Sequence, residues 1–450
     1  MLLRLIIGCF IVLTYYSSVS AYADTSHEEF RQKFLTNNIT WDDVLKKAKE
    51  EKTVHFYYWG GDDQLNFWID TIVKKDMKKF GIDVIPRHLA STKDAVDLAL
   101  TEKQSGKGLG KGSVDILWVN GENFFTLSQQ DLLFGSFAQK LPNSDLFDWN
   151  ENNPAAVLNL RDFGFQTLER EIPWSGEQYI CTAERTRLPA KKTPTDFKEL
   201  NAWLKKNPGR FTYVKPPHYL GNTFVQQTLY AFSPDGKGYE SFQKPLSSFT
   251  AKEFATLIKP GMVYLRELAP LLNGGKDGSP KYPEDAPSLN TLMKNGEIDM
   301  VCQFGLYFVS VNRDRGELSD TSEAVIFPKN NMIKNKNYLA ILGNAPHPAA
   351  ALVLANYMSS VKAQKDKLEI SGFPPGIDPW KLSKIQRDEL TSVTPPLYGV
   401  TQQMLDENIA PDTNSSLVGI IKEVWIDYVE KASTKSFESI VEEKYQASAK

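Results

Sequence analysis

Between Thr40 and Val119 the hydrophobic positions switch repeatedly between a helical and a strand period. Behind Thr40, a residue suited to an N-cap, Trp41, Val44, Leu45 and Ala48 recur three to four apart and predict a first helix. Thr53–Trp59 reads as a strand closed by Gly60-Gly61. Asp62 then opens a helix whose Leu65, Trp68, Ile69, Ile72, Met77 and Phe80 share one face, and Gly81 stops it. Residues 82–89 read as a second strand, 92–104 as a helix and 114–119 as a third strand. Apolar strands alternating with amphipathic helices predict an α/β sheet, mostly parallel and covered on both faces.

The period weakens across 139–166, where polar loops carry Pro142 and Pro154, and residues 171–183 are extended again. Thr193, with Pro194 in the first turn, is placed as the cap of a helix that ends at Asn207-Pro208-Gly209. Residues 211–214 read as a strand, 216–221 as a turn-rich loop, and Asn222 or Thr223 as the cap of the next helix. A Pro-rich connection over 282–287 leads to a helix and a strand at 298–303. Strands at 324–327 and 338–342 precede a helix over 348–361, and the tail from Pro395 is helical and amphipathic. No internal repeat is present.

The N-terminus adds an address. Met1 to Arg4 is a short positive segment, residues 5–13 are apolar apart from Gly8, and Ala21-Tyr22-Ala23 places small residues two apart. This pattern predicts a signal peptide, residues 1–23, cut after Ala23, and hence a secreted, periplasmic and soluble mature chain. The apolar run is far short of the ~20 residues that span a bilayer. Cys9 follows Ile6-Ile7-Gly8 in the manner of a lipidation site, but too early for a full apolar segment to precede it. A net charge of −3 and the absence of basic runs interleaved with aromatics exclude a nucleic-acid partner. Cys181 and Cys302 remain after processing; two buried free thiols are the favoured reading and a disulfide the alternative.

Catalytic constellations are scarce. The histidines, His27, His55, His88, His218 and His347, show no spacing that predicts a zinc site, so neither a metal nor a cofactor is expected. There is no nucleophile-elbow serine and no protease-type cysteine signature. The Gly/Lys loop at 106–112 precedes a strand instead of following one and fits no phosphate-binding fingerprint. Aromatic and small polar residues recur instead at the carboxyl ends of predicted strands: Trp59, Gly60 and Gly61 after the first, Asn120 and Glu122 after the third. Ligands of open α/β sheets bind outside those ends. Asn222 and Thr223 offer a further donor set. Trp59 also reads as a core aromatic, Glu122 as a helix-start charge, and Asn222-Thr223 as no more than a cap.

The succession of short motifs resembles the type II periplasmic solute-binding proteins of ABC importers over nearly the whole mature chain. It rests on Val54-His55-Phe56-Tyr57-Tyr58-Trp59, Val114-Asp115-Ile116-Leu117-Trp118-Val119-Asn120, Leu188-Pro189 with Thr193-Pro194-Thr195-Asp196-Phe197, Tyr338-Leu339-Ala340-Ile341 with Asn344-Ala345-Pro346-His347-Pro348, and Gln364. Trp118 to Phe124, Lys215-Pro216-Pro217 and Gly221-Asn222-Thr223 are most similar to the YnjB-like branch. The resemblance implies a two-lobed fold joined by hinge strands. It places lobe 1 at 24–175 and about 306–375, and lobe 2 at about 176–305 and 376–450. It implies a monomer that captures a small solute by hinge closure and hands it to a membrane permease and ATPase, without catalysis. A secreted enzyme using cleft carboxylates and a sensor without a transport role are the alternatives. Trp59, Gly60, Gly61, Asn120, Glu122, Trp174, Asn222, Thr223, Phe304 and Asn337 are the expected ligand-binding residues. Gly61, Asn335 and Asn337 stand where polyamine-binding relatives carry acidic or aromatic groups, which argues against a simple polyamine receptor. Trp59 and Trp174 can stack on a thiamine-like or other small organic cation, with Glu122 or Glu177 as counter-charge, and an anion held by backbone donors stays open.

Overall fold

The computed structural model describes residues 26–153, 156–328 and 332–448; the expected leader lies outside them. No helix among the described residues is long and apolar enough to cross a membrane. The described residues form ten strands: β1 (Thr53–Trp59), β2 (Asp83–Leu89), β3 (Ile116–Val119), β4 (Arg161–Asp162), β5 (Phe165–Gln166), β6 (Glu171–Glu184), β7 (Met300–Phe304), β8 (Ser322–Val325), β9 (Met332–Ile341) and β10 (Ile409–Ala410). The main sheet runs β2-β1-β3-β9-β6-β7, with β8 on β6 and β10 on β9, and β4-β5 form a small hairpin.

Burial explains the first strands. β1 alternates, with Val54, Phe56 and Tyr58 pointing into one core. β3 is buried on both faces: Ile116 and Trp118 enter that core, while Leu117 and Val119 enter a smaller cluster on the opposite face. A strand covered on both sides reads as a continuous apolar run, which is why 114–119 carried so clear a signal. The helical segment from Asp63 to Phe80 begins where the Asp62 carboxylate accepts the Leu65 amide at 2.7 Å and ends at Gly81, φ 76°. It buries Trp68, Ile69, Val73 and Met77 against the same core.

A second large core lies beyond. It gathers helices Phe197–Lys206, Tyr219–Ala231, Ala251–Leu268, Ser415–Trp425 and Phe437–Ser448 around β7 and β8. Two strands belong to both cores. β6 sends Ile172 and Trp174 into the first and Tyr179, Ile180, Cys181 and Ala183 into the second. β9 sends Leu339 and Ile341 into the first and Met332 and Ile333 into the second. The paired stretch from Ser175–Asn337 to Gln178–Lys334 is therefore the bridge between the halves.

Several expectations need correction. The sheet is mixed: β1 is parallel to β2 and β3, but β9 runs antiparallel to β3 and β6, and β7 and β8 run antiparallel to β6. Residues 211–214 are not a strand; only Phe211 bridges, to Met300, and the apolar signal there reports burial without pairing. Asp196, not Thr193, caps the helix Phe197–Lys206 by accepting the Glu199 amide. His218 caps Tyr219–Ala231 through the Leu220 amide, so Asn222 and Thr223 lie inside that helix and are not its cap. The helix expected over 348–361 ends at Met358, and Ser360 caps a new one, Val361–Ser371. Cys181 and Cys302 face each other across β6 and β7 and form a disulfide, against the favoured thiol reading, because antiparallel pairing brings together residues 121 apart in sequence.

Candidate functional site

A cavity of about 450 Å³ opens between the two cores, at the carboxyl ends of β1 and β3. Trp59, the last residue of β1, stands in its wall with its indole edge-on to Trp118. A side chain at Gly61 would put its Cβ 2.2 Å from the Trp59 ring, so the glycine is what lets that indole lie there. The floor is a small polar network. The Asn337 side-chain oxygen accepts from Trp118 Nε1 at 3.1 Å and from Asn120 Nδ2 at 3.0 Å, tying β9 to the end of β3.

Eight expected residues, Trp59, Gly61, Asn120, Glu122, Asn222, Thr223, Phe304 and Asn337, line this one cavity. Two do not. Gly60 packs its α-carbon against His88, where a Cβ would come within 2.6 Å, because β1 and β2 run close there. Trp174 is fully buried, edge-on to Trp118 and Phe56 and stacked on Trp68, so it is a core residue. Thr223 spends its hydroxyl proton on the Tyr219 carbonyl. The Asn222 amide donates to the Pro217 carbonyl at 3.1 Å, leaving its buried Oδ1 as an acceptor with no partner among the described residues.

Sequence reasoning missed most of the aromatic wall: Phe163, Tyr219, Tyr307, Phe308 and Phe373. A nearby glycine is the signal at three of them. Phe163 precedes Gly164 in the β4–β5 turn, Tyr307 follows Gly305, and Phe373 follows Gly372, which ends Val361–Ser371 at φ 77°. Phe163 lies over Gly121, where a Cβ would meet its ring at 2.7 Å. The Gly121 amide in turn donates to the Asp162 carboxyl, which burial raises to about 8.

The charges sort into pairs and one exception. Asp62 meets Arg315 at 3.8 Å, and Glu122 meets Lys422 at 2.8 Å. Asp62 opens a helix of the first core, and Glu122 lies on a helix of the smaller cluster behind the same sheet. Arg315 follows, and Lys422 lies on, a helix of the second core, so both pairs span the cleft. Glu177, on the shared part of β6, has no ion pair among the described residues; its Oε2 accepts only the Leu306 amide, at 3.0 Å. Burial raises its carboxyl to about 8, against the pull of that amide and of Lys367. Burial first, and the Glu177 charge second, raise the phenols of Tyr219 and Tyr307. Phe304 stacks on Tyr219, which completes an aromatic surround for one carboxyl group.

The Glu122–Lys422 pair gives a first prediction. Lys422→Met removes a contact available only when the halves are together. A partly exposed pair is worth about 0.2–1 kcal/mol, so affinity for a molecule bound in this cleft should fall by roughly 1.4- to fivefold. Small-angle scattering should show a larger radius of gyration at partial saturation. Unchanged affinity and size would remove the pair from closure.

Known proteins share the family and the fold. The family model described as bacterial extracellular solute-binding protein matches residues 71–391. The chain is similar to protein YnjB of Escherichia coli (strain K12), 33% identical over 364 residues, which are 80% of this chain and 88% of that one. In fold it is similar to an ABC transporter substrate-binding protein from Bradyrhizobium japonicum USDA 110, TM-score 0.56 at 15% identity, covering 88% of this chain and 99% of the other. An ABC transporter structure from Clostridium perfringens ATCC 13124 matches with TM-score 0.51 at 14% identity, over 84% and 99%.

Proposed function

Because the chain belongs to the bacterial extracellular solute-binding protein family, we propose that its solute is a small organic cation with a single positive centre, held in the cleft against Glu177. The observation that carries this is the unpaired Glu177 carboxyl inside an aromatic surround of Tyr219, Phe304 and Tyr307. Aromatic faces and a buried carboxylate both favour a cation. The free Asn222 Oδ1 adds an acceptor for a donor on the solute. A volume of about 450 Å³ suits a molecule of thiamine size, within the usual range for small-molecule pockets. Asp62 and Glu122 are already matched by Arg315 and Lys422, so a diamine would find one carboxylate for two ammonium groups.

The two halves act as lobes that close by bending the shared stretches of β6 and β9. In this reading the protein is a periplasmic receptor, acts as a monomer, turns over nothing, and passes its solute to a membrane permease driven by an ATPase. A panel of thiamine, quaternary ammonium compounds, polyamines, sulfate, phosphonates, sugars and amino acids, read by thermal shift, tests it. A ligand at 100 times its dissociation constant adds about 2.7 kcal/mol, enough to detect. Stabilisation by an anion or a neutral sugar, with no response to any cation, would overturn the proposal.

Linkage supplies a sharper measurement. A cation requires Glu177 ionised, whereas the empty site keeps it protonated up to a pH of about 8. Affinity should therefore rise by about tenfold per pH unit below that value and flatten above it. Titration calorimetry in buffers of different ionisation enthalpy should record close to one proton released per solute at neutral pH. An affinity that falls as pH rises over the same window is the contrary result.

A further inference from the structure

We propose that His55, Asp115 and His347 form a binding site for a zinc-class divalent cation at the amino ends of the strands, away from the solute cleft. His55 lies near the start of β1 and Trp59 at its end, about 13 Å apart along the strand at the usual rise. The site is thus separate from the cavity, and none of its three residues lines it.

The donor atoms already converge. Asp115 Oδ2 lies 3.1 Å from His55 Nδ1 and 3.0 Å from His347 Nδ1, and all three ligand atoms fall within 4.8 Å of one another. Zinc binds imidazole nitrogen and carboxylate oxygen at about 2.0–2.2 Å, so tetrahedral ligands stand about 3.4 Å apart. Opening the two carboxylate–imidazole contacts by a few tenths of an ångström, and drawing together the imidazole nitrogens that now lie within 4.8 Å, admits the ion. Two backbone amides hold the carboxylate in place: His55 N–H donates to Oδ2 at 2.7 Å and His347 N–H to Oδ1 at 2.6 Å. Such outer hydrogen bonds orient a ligand and strengthen it.

Access and charge fit as well. Asp115 is fully buried, whereas the His55 and His347 side chains are 27% and 23% exposed, leaving a solvent side for entry and for a fourth ligand. Glu51 lies close by, its carboxyl accepting from the amides of Ala349 and Ala350 at the start of the helix that follows His347. Imidazoles that donate from Nδ1 to Asp115 bind the ion by moving that proton to Nε2 and presenting the Nδ1 lone pair. Two imidazoles and one carboxylate favour zinc or cobalt over calcium and magnesium, which take oxygen ligands. The spacing of 55, 115 and 347 hides this triad in the sequence; β1, the entry to β3 and the turn after β9 bring it together.

The alternative role is a plain hydrogen-bonded pin, two imidazoles on one carboxylate, and the test separates the two. Chelator-stripped protein is titrated with zinc chloride, with calcium and magnesium chloride as parallel arms. One equivalent of zinc should bind, calcium and magnesium should not displace it, and cobalt should give visible bands of a tetrahedral ion. His55→Asn and His347→Asn each keep an amide hydrogen bond to Asp115 but remove the imidazole. Both should weaken zinc by about tenfold or more while leaving solute affinity and the metal-free melting temperature unchanged. Should either variant fail to fold, nitrogen NMR of the wild-type protein decides: zinc should move two of the five imidazoles to metal-bound shifts. No stoichiometric zinc binding, zinc affinity indifferent to both folded variants, or shifts at other histidines would overturn the site.

Discussion

Glu177→Gln should lower affinity for the proposed cationic solute by about 100-fold, close to 2.7 kcal/mol, and abolish its rise between neutral pH and about 8. Glutamine fits the same space and its Oε1 can still accept the Leu306 amide, so the loss isolates the charge. The same change should stabilise the empty protein at neutral pH. Glu177 has its folded carboxyl raised from 4.5 to about 8 by burial, so the native state holds a proton that the unfolded chain has released. Its effect on stability therefore worsens as pH rises through that interval, and below it the two proteins should melt alike. Affinity down and stability up is the signature of a group kept for binding at the expense of the fold. Calorimetry and denaturant titration on one pair of samples check both halves. Unchanged affinity would move the counter-charge elsewhere.

Trp174→Ala should destabilise the protein by about 3–5 kcal/mol, the range for removing a buried aromatic. Its indole touches Phe56, Trp68 and Trp118, the Lys367 ammonium lies 5.0 Å from the ring centre, and its carbonyl accepts from Lys367. The residue is fully buried and outside the cavity, so the damage falls on the first core and on β6 where it enters the bridge. Urea denaturation measures the loss. A loss under about 1 kcal/mol, coupled to a large fall in affinity, would restore Trp174 to the site and refute its placement in the core.

The contrast between Trp59 and Trp174 shows what a sequence can carry. Both precede small residues at the end or bend of an extended run, and both read as ligand-facing. Trp59 ends β1, and a strand end in a sheet of this class opens on the cleft. Trp174 sits inside a fourteen-residue strand beside a register shift at Pro173 and Ser175, and which face it takes depends on that irregularity. One-residue slips exchange the faces of a strand, and sequence does not announce them. The alternation in β1, the two-sided burial of β3 and the Asp62 cap were legible because each follows from local period or local hydrogen bonding. The caps at Asp196 and His218 were misread by a few residues for want of the chain's path. The cross-strand disulfide and the aromatic ring around Glu177 were hidden because their members come from segments far apart in sequence.

The shared strands also set a timetable for synthesis. β3 ends at Val119, but its neighbour β9 is complete only at Ile341, roughly 220 residues later. At about 5–20 residues per second, roughly 10–45 s separate the two strands as they leave the ribosome. Throughout that interval the first half lacks the strand that covers one edge of β3 and supplies Leu339 and Ile341 to its core. A chain so divided cannot lock its N-terminal half early. That half stays incomplete until about three-quarters of the chain has been made, the condition that passage through a membrane channel imposes on an extracellular protein.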